Sequence, residues 1–192
     1  MDSLLVSAPH KSSGKTTVTL GLCAALAQRG QQVQPFKKGP DYIDPMWLGQ
    51  AAGRPCQNLD AYLMDDESLE RCFTQALGGA DIAIVEGNKG LYDGLALDGS
   101  NCNAALARLL GLPVLLVLDA RGMTRGVAPL LLGFQAFERD IRRWEKQFNN
   151  GKASATARTA FFGRRRGLFL MSEFAVASFL SGQNLAGIDM GR

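Results

Sequence analysis

The chain has 192 residues, 46% of them hydrophobic and 20% charged, with a formal net charge of +3. This is the composition of a soluble globular chain of about one domain, which argues against a disordered or fibrous protein. The net charge is unevenly placed: residues 1–140 hold 12 Lys/Arg against 15 Asp/Glu, whereas residues 141–192 hold 9 against 3.

The N-terminus, MDSLLVSAP, lacks a basic n-region and does not read as a signal peptide. Leu4 to Val6 is short, apolar and bounded by Ser7-Ala8-Pro9, so it reads as a buried strand. Thr16 to Gln28, rich in alanine and leucine and stopped near Gly30, reads as a helix. Gln32 to Phe36 is a second strand, Glu67 to Leu77 a helix, and Asp81 to Val85 a third strand opened by an Ala-Gly-Gly turn. Ala104 to Leu110 is helical, Pro113 to Leu118 is a nearly continuous apolar strand, and Val127 to Phe137 is a further helix. Continuous apolar strands alternating with helices predict an α/β fold with a mostly parallel sheet covered on both faces. The next strand of such a sheet is due after Phe137, and the pattern does not supply it. Residues 1–140 therefore form one domain and 141–192 a basic tail to which no domain is assigned. That tail holds Arg164-Arg165-Arg166 and six of the ten phenylalanines.

The counts exclude several chemistries. Four cysteines, Cys23, Cys56, Cys72 and Cys102, form no CxxC pair, so reduced thiols and a cytoplasmic setting are expected. His10 is the only histidine, so any Ser-His or Cys-His catalysis would have to pass through it. In its loop a packing or hydrogen-bonding role is expected instead. No apolar run approaches the roughly 20 residues of a membrane span.

His10-Lys-Ser-Ser-Gly-Lys-Thr-Thr17 lies between a predicted strand and a predicted helix, the setting of a phosphate-binding loop. Gly14 lets the backbone curl so that N–H groups converge on phosphate oxygens at a helix N-terminus. Lys15 reaches the outer phosphates and the Thr16 hydroxyl is placed to ligate Mg²⁺. Ser12, Ser13 and Thr17 complete the predicted nucleotide-binding set. Pro9 stands where the full GxxxxGK[ST] motif has its first glycine, and the alternative is a chance GKT at a helix cap.

Two acid-bearing segments follow the next strands. In Phe36-Lys37-Lys38-Gly39-Pro40-Asp41-Tyr42-Ile43-Asp44-Pro45, two carboxylates three apart suit a hydrated Mg²⁺, and the lysines could neutralise a transferring phosphoryl group. An ordinary solvated turn is the alternative for that segment. In Val85-Glu86-Gly87-Asn88-Lys89-Gly90-Leu91-Tyr92-Asp93-Gly94, Glu86 falls at the carboxyl end of a parallel strand, where open α/β sheets bind ligands. Asp93 sits in a Gly-flanked loop that could reach a substrate.

Together SAPHKSSGKTTVTLGL (7–22), FKKGPDYIDPMW (36–47), GRPCQNLDAYLM (53–64), VEGNKGLYDG (85–94) and LPVLLVLDARGMTRGVAPLLLGFQAF (112–137) resemble the N-terminal domain of the cobyrinate a,c-diamide synthase family. That domain belongs to the P-loop group that includes dethiobiotin synthetase and MinD/ParA-type ATPases. The resemblance implies an ATP-dependent amide ligase of cobalamin biosynthesis, acting on a corrinoid through acyl phosphates. It implies that Lys15 and Thr16 bind ATP and Mg²⁺ and that Asp44 and Glu86 complete the metal site. It makes Lys37 the phosphoryl-stabilising residue and turns Asp41, Tyr42 and Asp93 toward the corrinoid, with Asp41 and Asp93 among the catalytic set. Asn88-Lys89 stands where the family usually has small or apolar residues. The family takes its ammonia from glutamine in a C-terminal glutaminase domain, and the 192 residues leave no room for one. The resemblance therefore implies a truncated form. A different reading makes the chain an ATP-binding module whose basic tail contacts an anionic partner, although a solvated charge run explains Arg164 to Arg166 as well and nucleic acid is not expected.

Overall fold

The computed structural model describes residues 2–138 and 168–170. Its order is β1 (Asp2–Ser7), α1 (Lys15–Gln28), β2 (Val33–Lys38), α2 (Ile43–Ala52), β3 (Gln57–Leu59), α3 (Asp66–Ala76), β4 (Ile82–Glu86), α4 (Asn103–Leu109), β5 (Val114–Asp119), α5 (Val127–Phe137) and β6 (Leu168–Leu170). The sheet order is β3-β2-β4-β1-β5-β6, and β1 to β5 are mutually parallel. The α/β class and the mostly parallel sheet are those expected. The parallel strand due after α5 is not found among the described residues. The outer edge of β5 instead carries β6, three residues long and antiparallel. Arg164 to Arg166, and the rest of the basic tail outside β6, lie outside the described residues.

Period-2 geometry sends alternate side chains of each strand to opposite faces. Leu4 and Val6 of β1 join Ile82 and Ile84 of β4 beneath α1 and α2, packed on Val18, Leu22, Leu26 and Leu48. Leu5, Ala83 and Val85 face the other way, with Phe36, Leu69, Phe73 and Leu106 under α3 and α4. Both faces are covered, which is why the strands read as continuous apolar runs rather than as alternating ones.

The predicted helices appear within a residue or two of their expected ends. Helix α1 begins after Gly14, whose φ of 86° lies in the left-handed region, and its C-terminal carbonyls bond the N–H groups of Arg29 and Gly30. Helix α3 is capped by Asp65, whose side chain accepts from Ser68 N–H at 2.8 Å.

Helix α2 and strand β3 were not expected from the pattern. Pro45 occupies the first turn of α2, where the missing N–H costs nothing. Asp41 Oδ1 accepts from the N–H groups of Ile43 and Asp44 at 3.0 and 3.2 Å and fixes that end of the helix. Asp44 is therefore a helical residue, not the loop residue that the Gly/Pro-bounded reading implied.

Candidate active site

Adjacency in the sheet gathers the site. Strands β2, β4 and β1 lie side by side, so the loops leaving their carboxyl ends meet at one edge. Lys37 is the register partner of Glu86, and Glu86 is also the partner of Val6, four residues before the phosphate-loop segment begins at His10. Residues far apart in the chain thus become neighbours before any side chain is considered.

Ser12 has φ of 61°, unusual for a residue with a Cβ, and Gly14 follows in the same left-handed region. Such paired backbone bends turn successive N–H groups toward one point, the geometry of an anion-binding nest. Ser13 is buried and its hydroxyl donates to the His10 carbonyl at 2.9 Å, holding the loop closed. His10 Nδ1 lies 2.6 Å from the Lys11 carbonyl and 3.2 Å from Ser13 Oγ, the local hydrogen-bonding role expected of it. Lys15 is buried, and its ammonium has one hydrogen bond, to the His10 carbonyl at 3.2 Å. Burial lowers its pKa, opposed by Glu86 and reinforced by Lys37. Thr17 is exposed at the start of α1.

Next to this loop lies a charged cluster. Thr16 Oγ1 donates to Glu86 Oε1 at 2.5 Å and lies 3.4 Å from Asp44 Oδ2. Lys37 Nζ bridges the two acids, 2.5 Å from Asp44 Oδ2 and 2.9 Å from Glu86 Oε1, with Asp41 Oδ2 at 3.9 Å. Burial opposes the Lys37 charge, but Glu86 and Asp44 outweigh it and the pKa is raised. Glu86 is fully buried, and that burial pushes its carboxyl up against the pull of Lys37 and Thr16. Its second oxygen, Oε2, is buried without a hydrogen-bond partner among the described residues. An orphaned carboxylate oxygen beside a threonine hydroxyl and a second carboxylate fits a small, hard divalent cation that keeps most of its waters. No cluster of three or more His, Cys, Asp or Glu side chains suited to a metal occurs among the described residues.

The structure thus brings Thr16, Lys37, Asp41, Asp44 and Glu86 together, with Lys15 next to them. Asp93 is exposed in the loop after β4, and its charge acts on Lys15. Tyr42 is 78% exposed at the head of α2 and touches none of the cluster through a hydrogen bond. It and Asp93 border the site rather than forming its interior.

Several supporting residues carried no signal in the sequence. Asn103, fully buried, donates to Ser7 Oγ at 3.1 Å and to the Gly90 carbonyl at 2.9 Å, pinning the loop that carries Asp93 to the end of β1. Asn58 on β3 donates to the Asp41 carbonyl at 2.6 Å and so fixes the entry to α2. Gly90 has no room for a side chain, because a Cβ there would overlap the Pro9 carbonyl oxygen and the Asp93 carboxylate. Gly90→Ala is expected to destabilise the fold by about 1–3 kcal/mol in denaturant unfolding. Gly133→Ala, where a Cβ meets nothing within 4 Å among the described residues, should cost nothing and serves as the control.

The arrangement can hold a polyphosphate against Lys15 and the loop amides while acids and a lysine gather at its outer end. Residues 5–163 match the family described as the CobQ/CobB/MinD/ParA nucleotide binding domain. The chain belongs to that family. Within it, the chain is 55% identical over 134 residues to a cobyrinate a,c-diamide synthase of Magnetococcus marinus, a match covering 70% of this chain and 29% of the relative. It is 46% identical over 142 residues to a cobyrinate a,c-diamide synthase of Methanosarcina acetivorans, covering 72% and 29%. It is 49% identical over 140 residues to a hydrogenobyrinate a,c-diamide synthase of Streptomyces coelicolor, again covering 72% and 29%. The chain therefore spans less than a third of the length of these curated relatives.

All four cysteines are free, and burial pushes the Cys23 and Cys56 thiols up to about 12, which leaves them poor nucleophiles. Among the described residues no helix is long and apolar enough to cross a membrane.

Proposed function

We propose that this chain is the ATP-binding, amide-forming part of a corrinoid a,c-diamide synthase. The observation that carries the reading is the convergence of Lys15, Thr16, Lys37, Asp44 and Glu86 at one sheet edge. The relatives' names supply the substrate class, a corrinoid acid whose a and c carboxylates become amides.

The phosphate loop and Lys15 hold the triphosphate, and the buried, singly bonded Lys15 ammonium gains the anionic partner it lacks. Thr16, Asp44 and Glu86 are the residues that would hold Mg²⁺. When bound, Mg²⁺ supplies charge neutralisation on the phosphate oxygens. Lys37 lies between the two acids, close enough to the phosphate loop to meet charge developing on a transferring phosphoryl group. A substrate carboxylate oxygen attacks the γ-phosphorus, the bond to the bridging oxygen breaks, and ADP leaves. Ammonia then attacks the acyl carbon and loses a proton, and inorganic phosphate departs with the former carboxylate oxygen. Asp41, Asp93 and Tyr42 border the place where that carboxylate must arrive. In such phosphoryl transfer, positioning and charge neutralisation carry most of the rate. Release of the ammonia from glutamine elsewhere in the whole protein belongs to the same proposal.

The test is incubation of the chain with Mg-ATP, ammonium and cobyrinate, with the corrinoid followed by mass spectrometry. Conversion of carboxylate to carboxamide that requires both ATP and ammonium is expected. Binding of ATP with no change in the corrinoid would contradict the ligase reading and leave a plain nucleotide-binding module.

A further inference from the structure

Beside the charged cluster, on the other side of β2, lies a second cleft that the chemistry above does not use. Lys37 and Lys38 are consecutive on β2 and so point to opposite faces of the sheet. Lys37 meets Asp44 and Glu86, whereas Lys38 enters a cleft lined by Asp60, Asn88, Lys89 and Asn101. Lys38 is only 5% exposed, yet among the described residues no carboxylate lies within ion-pair distance of its ammonium. One of its donors bonds the Asn101 carbonyl at 2.7 Å, and Asn88 Oδ1 stands at 3.5 Å. An ammonium has three N–H donors, so this buried lysine holds bonding capacity it does not use.

The rest of the cleft is also built from polar groups. Asp60 is nearly buried, with Oδ1 accepting from Tyr62 N–H at 2.9 Å and Oδ2 lacking a partner among the described residues. Lys89 is exposed and, among the described residues, its ammonium reaches only the Gly94 carbonyl, at 3.4 Å. Two ammonium groups face one carboxylate, so the cleft favours an anion. At its mouth stand Tyr62 and Leu95, 73% and 67% exposed. A polar, cationic floor under an exposed apolar rim matches an amphipathic ring with carboxylates around its edge.

In the first of its two amidations the substrate carries the other of those carboxylates unreacted. We propose that this cleft holds such a non-reacting carboxylate of the substrate, with Lys38 and Lys89 as its partners and Tyr62 and Leu95 against the ring. The inference rests on the corrinoid reading above and adds to it a specificity site separate from the phosphate loop. It also gives a role to Asn88-Lys89, the pair that stands out in the loop after β4.

The test is equilibrium dialysis of the chain against cobyrinate and against its fully esterified form, which keeps the ring and removes the charges. Lys89→Ala should weaken cobyrinate binding and Lys89→Glu should weaken it by about tenfold, while Lys89→Arg retains it. Binding of the ester, binding of a non-hydrolysable ATP analogue and the melting temperature should not change across the Lys89 series. Lys38→Met, if folded, should lose cobyrinate affinity in the same selective way, and the Lys89 series is decisive without it. Equal cobyrinate affinity in wild type, Lys89→Ala and Lys89→Glu would overturn the cleft assignment alone. A wild-type chain that binds the ATP analogue but not cobyrinate would overturn this inference and the corrinoid reading together.

Discussion

Replacing Lys15 with alanine is expected to weaken Mg-ATP binding by about 10–100-fold, the equivalent of about 1.5–3 kcal/mol for a hydrogen bond to a charged group. The reason lies in how Lys15 sits without ligand. Its ammonium is buried, has a single carbonyl partner, and is held below its usual pKa by that burial. A charge kept out of water with no counter-charge in ion-pair contact is a cost to the folded state, tolerable where a ligand brings that anion. The same substitution should therefore leave unfolding stability unchanged or raise it. Calorimetric titration with a non-hydrolysable ATP analogue, alongside denaturant melts, reads both quantities. Arginine should not rescue binding, because its planar fork cannot stand in for a compact ammonium in a closed loop. Undiminished affinity in Lys15→Ala would place the nucleotide elsewhere.

A larger effect on chemistry is expected from Lys37→Met. If Lys37 meets charge that develops only as the phosphoryl group moves, turnover should fall by about 10²–10³-fold while nucleotide affinity changes far less. Stability should fall too, by about 3–5 kcal/mol, since removing one partner strands the buried charge of the other. That loss has a pH signature. Burial already raises the Glu86 carboxyl above its usual 4.5, and Lys37 is the strongest group opposing the rise. Without Lys37 the folded-state value climbs further. A carboxyl whose folded value is raised contributes full stability below its unfolded value and loses it as pH rises through the folded value. The variant should therefore lie closest to wild type at about pH 5 and fall behind at about pH 8. Denaturant melts at the two pH values check this. A pH-independent difference would mean that the Lys37–Glu86 pair does not hold the charge described here.

Much of this site could be read in the chain because its parts are local. A strand, a turn with Gly14-Lys15-Thr16 and a helix are contiguous, and so are Lys37 and Asp44, and Glu86 and Asp93. Four of the five parallel strands, β1, β2, β4 and β5, were legible because burial on both faces leaves largely apolar runs. Helix α2 was hidden by Pro45, which closes the segment read as a loop although it sits harmlessly in the first turn. Gly49 is needed because a Cβ there would press on the Arg54 carbonyl oxygen at 3.2 Å. Its exposed Tyr42, Ile43, Met46 and Trp47 also blur the helical period that burial would have imposed. Strand β3 is three residues of mostly polar edge, too short to show alternation. What no local pattern could give is distance: the Lys37 bridge to Glu86, the Asn103 clamp and the Lys38 cleft all depend on strand order. Two adjacent lysines looked alike in the sequence, and the pleat of β2 sends them to different tasks.

The fate of one carboxylate oxygen distinguishes an acyl phosphate from any other route to the amide. Cobyrinate labelled with oxygen-18 in its carboxylates is incubated with the chain, Mg-ATP and ammonium, and the inorganic phosphate is recovered for mass analysis. If the cluster around Lys37 activates the substrate as an acyl phosphate, phosphate formed during amidation carries one labelled oxygen, and Lys37→Met lowers its yield. Amide formed with only unlabelled phosphate would show that the carboxylate oxygen leaves by a route other than an acyl phosphate, and would contradict this mechanism.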